Sequence, residues 1–163
     1  MACRLLRSRH CSAQVEKIDM IRSLVAGAAL IAVAAAVQAA EPSEPHVVER
    51  TKAMKTIGQN TKLLGEMAKG NTAFDAAAAQ QAAAAIAAEA AKIPTLFETE
   101  ADDPASEAKP VIWTQYDDFT TKSADLEMAA SAAAESIQAQ ADLGPALGQI
   151  GGTCKACHTT YRE

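Results

Sequence analysis

Aromatic residues are scarce in this 163-residue chain: one Trp, two Tyr and three Phe make up 4% of it. Protein interiors are close-packed, so a core without rings is filled either by close helix contacts or by a large group that is not protein. The chain has no alternating strand pattern, no internal repeat and no glycine-rich phosphate loop, which excludes sheet folds and nucleotide-binding folds. Nothing in it resembles a nucleophile–base pair or paired catalytic carboxylates, so it does not read as an enzyme. Basic charge is also short. From Glu41 onward ten Lys+Arg stand against eighteen Asp+Glu, a net charge of −8. Such a surface disfavours nucleic acid and anionic membranes, and suits a soluble protein that meets basic partners.

What is present is alanine. Hydrophobic residues make up 49% of the chain, much of it Ala rather than Leu, Ile or Val. Alanine is the strongest helix former and lets helices approach closely, which favours a helical bundle.

The N-terminal part reads as targeting sequence. Residues 20–40, "MIRSLVAGAALIAVAAAVQAA", combine a basic start at Arg22, an apolar run from Leu24 to Val37 and small residues at the end. That is the pattern of a secretory signal peptide. The run is shorter than the roughly 18–20 apolar residues of a spanning helix, so a retained anchor is the poorer reading. A good signal begins at Met20, and residues 1–19 read as an extension upstream of the true start. Taken instead as a metal-binding leader, they offer one His and two cysteines, a poor set. The expected mature domain is 41–163, exported to the periplasm and free of the membrane once the signal is cleaved.

Beyond "EPSEP" the apolar residues Val47, Met54, Ile57, Leu64 and Ala68 predict a first helix of about six turns, stopped near Gly70 and Asn71. Thr72 or Asp75 caps a second, alanine-rich helix that runs to Pro94, with Ile86 and Ile93 facing inward. Residues 94–112 carry three prolines and a cluster of acids, and form the one long connection, with Leu96 and Phe97 tucked in. A third helix from Trp113 to Ala141 follows, broken at Leu143-Gly144-Pro145. In the last helix Leu143, Leu147, Ile150, Cys154, Cys157 and Tyr161 recur at intervals of four, three, four, three and four, one seam of a bundle helix. The expectation is an all-α, antiparallel, up-down-up-down four-helix bundle.

The chemistry lies in "GGTCKACHTTYRE". Cys-x-x-Cys can ligate zinc, shuttle a disulfide or form two thioether bonds to haem, and a His directly after it favours the third. Cys154 and Cys157 share one helical face, and His158 follows Cys154 by one turn, placed to reach an iron from one side. Zinc would need a fourth ligand from His46 or an acid. A thioredoxin-like redox motif would sit near a βαβ pattern, and none exists. One covalent haem c therefore fits best, and small alanines leave room for it.

A haem-attachment motif on the last helix of an exported four-helix chain resembles the class II cytochromes c, the cytochrome c′ family. "ERTKAMKTIG" on the first helix, "PVIW" (Pro110–Trp113) opening the third and "GGTCKACHTTYR" at the end carry the resemblance across almost the whole mature chain. It implies His158 as the proximal iron ligand and places the other haem face against the first helix. In the family's low-spin branch an early methionine there binds iron, and Met54 stands in that position. This implies a single-electron carrier with His158/Met54 ligation. The alternative is a five-coordinate protein that binds NO or CO, with Met54 only lining the pocket. The resemblance makes Arg50 a candidate partner of a haem propionate, Arg162 a modulator of the proximal side, and Trp113 and Tyr161 haem-pocket candidates. Met67 and Met128 are expected in the core and His46 on the surface. Alanine-rich faces are compatible with a monomer or with the homodimer found in parts of the family.

Overall fold

A computed structural model describes residues 41–163, which form one compact unit. The proposed extension 1–19 and the signal peptide 20–40 lie outside the described residues. Four long helices carry the fold: α1 (Pro45–Ala68), α2 (Ala76–Ala90), α5 (Tyr116–Ser136) and α6 (Leu143–Tyr161). Two short helices, α3 (Ile93–Phe97) and α4 (Val111–Thr114), interrupt the connection between α2 and α5. The expected four-helix bundle is present, and among the described residues the only extended pairing is an isolated antiparallel bridge between Ala108 and Arg162.

Local chemistry sets the helix ends. The Glu44 carboxylate accepts from Val47 N at 2.9 Å and Pro45 opens α1, where a missing N–H costs nothing. Gly70 ends α1 with φ +76°, a left-handed conformation that glycine adopts without steric cost. Asp75 rather than Thr72 caps α2, its Oδ1 accepting from Ala78 N at 2.9 Å.

Packing follows the stripe the periodicity predicts. Val47, Ile57, Leu64 and Met67 of α1 are buried, as are Phe119, Leu126 and Ala130 of α5. Alanine closes the helix interfaces: Ala79, Ala82, Ala83 and Ala90 of α2 are almost fully buried, as are Ala130 and Ala133 of α5, the helix on which α2 packs most extensively.

Three expectations need correction. The second helix stops at Ala90, and Pro94 instead sits in the first turn of α3, where its missing N–H is tolerated. The third helix is shorter than Trp113–Ala141: Gln115 breaks it from α4, and Ile137 turns extended after Ser136. Asp142 then accepts from Gln138 N and Ala139 N at 2.9 and 2.8 Å, and Leu143-Gly144-Pro145 begins α6 rather than merely ending its predecessor. Met128 is 62% exposed and not in the core, because α5 turns Leu126 and Ala130 inward on either side of it.

Candidate haem cleft

An apolar cleft opens between α1, α5 and α6. Met54 and Ile57 line it from α1, Phe119, Lys122, Ser123 and Leu126 from α5, and Thr153, Cys154, Cys157 and His158 from α6, while Ile93 of α3 closes one side. The hydroxyl of Ser123 donates to Ala90 O at 2.8 Å, so this buried residue presents no unpaired donor to the cleft.

The donor set comes from one helical face. Cys154 and Cys157 are free and half-buried, and His158 is half-buried beside them. Burial pushes both thiols up; at Cys157 the Lys122 cation opposes that shift. Burial likewise pulls the His158 imidazole down, and the Arg162 cation one turn later adds to it against the weaker influence of Glu107. A neutral imidazole is the form that ligates a metal. Two thiols, an imidazole and, from the far helix, a thioether line a largely apolar slot walled by Ile57, Ile93, Phe119 and Leu126, with Lys122 in one wall. That set fits a covalently held haem. Among the described residues no three His, Cys, Asp or Glu side chains gather closely enough to hold a bare metal ion, which leaves a zinc site without its donors.

The other sequence-derived candidates surround the cleft without lining it. Arg50 is only 4% exposed, and its guanidinium donates to carbonyls of α3 and of the segment that follows it: Nε to Leu96 O at 2.8 Å, Nη1 to Ala101 O at 3.4 Å and Nη2 to Thr99 O. It also lies over the rings of Phe97 and Trp113, at 4.5 and 5.5 Å from their centroids. Burial lowers its pKa, with Glu44 opposing. Trp113 is half-buried and donates Nε1–H to Phe97 O at 2.9 Å. Tyr161 is 3% exposed and packs edge-on against Phe119 at 5.3 Å, so it backs the cleft wall from behind. Arg162 is exposed and pairs with Glu107, Nε to Oε2 at 2.5 Å. Met67 is buried and His46 exposed, as expected.

Sequence reasoning passed over Lys122 and Ser123 in the cleft wall and Asp118 behind it. The signal for the first two was there: Lys122 and Ser123 stand three and four residues after Phe119 and four and three before Leu126, on the helical face those two apolar residues mark.

Comparison with known proteins agrees with this geometry. The family model described as Cytochrome C′ matches residues 46–162. The chain is 39% identical over 123 residues to cytochrome c′ of Pararhodospirillum photometricum, covering 74% of this chain and 98% of that protein. It is also 39% identical over 114 residues to cytochrome c-556 of Agrobacterium tumefaciens (strain apple 185), covering 69% and 90%. The solved structure of cytochrome c′ from Rhodopseudomonas palustris superposes with a TM-score of 0.66 at 34% identity, over 74% of this chain and 98% of that one.

Proposed function

The chain belongs to the cytochrome c′ family, and from that premise we propose that it is a periplasmic monohaem electron carrier with His158 and Met54 as axial iron ligands. Members of the family carry covalently bound haem c, and Cys154 and Cys157 are this chain's attachment cysteines. The observation that carries the reading is that Met54, from a helix far away in sequence, lines the same cleft as Cys154, Cys157 and His158. Bound haem supplies one-electron iron chemistry, and a thioether ligand favours the ferrous form.

The protein's own residues do the rest. Burial favours the neutral His158 imidazole, and Ile57, Phe119 and Leu126 give the slot apolar walls. Carrying an electron needs no acid–base machinery, so no catalytic residue is assigned. The signal peptide would deliver the chain to the periplasm, and no helix among the described residues is long and apolar enough to cross a membrane. The acidic surface suits brief, salt-sensitive encounters with redox proteins of complementary charge.

A second reading, a five-coordinate haem that binds NO or CO, draws on the half-buried state of Met54, since methionine is also a filler of irregular gaps. Relatives named cytochrome c′ and cytochrome c-556 are equally identical to the chain, so the names do not separate the two readings. Absorption spectra of the purified holoprotein do. A low-spin spectrum and a reduced form that binds CO only slowly are expected, with Met54→Ala converting the protein to a high-spin form that binds CO readily. A high-spin parent that binds CO readily overturns the electron-carrier reading, and a Met54→Ala spectrum identical to the parent's overturns the ligand assignment.

A further inference from the structure

Met54 on α1 and His158 on α6 stand across the cleft from each other, yet these helices pack chiefly on α2 and α5 rather than on one another. Direct contact between them is the smaller part of their packing, and a further link would help hold their separation. At one end of the bundle the segment from Leu96 to Lys109 is fastened to both. On the α1 side Arg50, one turn before Met54, holds the Leu96, Thr99 and Ala101 carbonyls. Asp103 adds to this: its Oδ2 accepts from Ser43 N at 2.8 Å and from Glu44 N at 2.9 Å, just ahead of α1. On the α6 side Lys109 N donates to Tyr161 O at 3.0 Å and Glu163 N to Glu107 O at 2.9 Å. The Glu107–Arg162 ion pair closes that end, one turn after His158.

We propose that this segment is a brace that fixes the spacing of the two ligand-bearing helices, and that Arg50 is its positioning residue, acting on Met54 through the α1 backbone. Only a planar guanidinium can reach three carbonyls of an irregular segment while its face lies on two aromatic rings; a lysine offers a point charge and fewer directed donors. What the brace does at the iron rests on the electron-carrier reading. Whether it couples Arg50 to the Met54 turn does not.

The test compares parent holoprotein with Arg50→Lys, Arg50→Gln and Glu107→Gln, by hydrogen exchange of peptides 52–58 and 96–105 and by spin state and CO association of the same samples. In Arg50→Gln both peptides are expected to lose protection together by about tenfold, the size of one lost charged hydrogen bond, with CO association faster by a similar factor. Arg50→Lys falls between. Glu107→Gln changes an exposed side chain that the bundle does not need for folding. It should free the α6 end and speed CO association to a smaller extent.

Loss of protection confined to 96–105, with 52–58 and CO association unchanged, overturns the proposal. So does an Arg50→Gln protein whose reduction potential shifts while 96–105 stays protected, which would make Arg50 a partner of a haem propionate only. If the parent is itself high-spin and open to CO, the electron-carrier reading fails, while joint or separate exchange of the two peptides still decides the brace.

Discussion

The Tyr161 hydroxyl, inside the bundle, donates a 2.5 Å hydrogen bond to Oδ2 of Asp118, a surface carboxylate whose other oxygen, Oδ1, lies 3.6 Å from Lys122 Nζ. The phenol at the end of α6 is thereby tied to α5 directly behind the cleft wall formed by Phe119.

Burial, and then the Asp118 carboxylate, push Tyr161 from 10.0 up to about 12. The folded state therefore holds this proton more tightly than the unfolded chain does. The resulting stability is complete below pH 10 and is lost as pH rises through about 12. Thermal melting from pH 9 upward should show this loss in the parent and a flatter profile in Tyr161→Phe. That variant should cost about 1 kcal/mol at neutral pH, the usual net value of one hydrogen bond. A parent profile as flat as the variant's would remove Tyr161 as the cause.

Asp103 governs the acid side. Backbone donors from Ala105, Glu44 and Ser43 hold its carboxylate down from 3.8 to about 2. A depressed pKa contributes stability that is present above pH 3.8 and fades as pH falls toward 2. Asp103→Asn should weaken the acid limb of a urea or thermal stability profile, because its amide keeps an acceptor but has no proton to gain. An unchanged slope would place the acid sensitivity in other carboxylates.

Ala83 is fully buried on α2. Enlarging it to leucine adds apolar volume to an interface already in contact, and overpacking costs about 1–3 kcal/mol. Chemical denaturation of Ala83→Leu should therefore give a lower midpoint than the parent despite the gain in hydrophobicity. A higher midpoint would reveal unfilled space between α2 and α5.

The attachment cysteines are checked by a denaturing gel stained for haem. Parent protein should retain its haem after boiling, because thioether bonds survive denaturation, whereas Cys154→Ser/Cys157→Ser should retain none. Single variants should keep a reduced amount with a shifted pyridine haemochrome band. Covalent haem in the double variant would overturn the assignment.

How much of this was legible beforehand differs from residue to residue. Cys154, Cys157 and His158 were read from spacing alone, because an interval of three or four residues maps directly onto one face of a helix. The family resemblance singled out Met54, whereas Met128 was expected in the core. One lines the cleft and the other is 62% exposed, a difference set by how each helix is rotated against its neighbours. The family resemblance made Arg50 a candidate partner of a haem propionate. Its carbonyl acceptors come from a proline-rich segment some fifty residues later, which no local pattern announces.

By itself, then, the sequence determined the four long helices though not all of their ends, the Gly70 stop of α1, the alanine-lined interfaces and the face that carries the cysteines and histidine, because these depend on propensity and on a 3.6-residue period within one segment. The tertiary structure decided what lies opposite that face, which buried charges are held and by whom, and that the connection before α5 is tied to both α1 and the C-terminus. Those outcomes depend on how separate helices rotate and dock, and on where an irregular chain finds partners for its backbone carbonyls, neither of which is a property of any one segment.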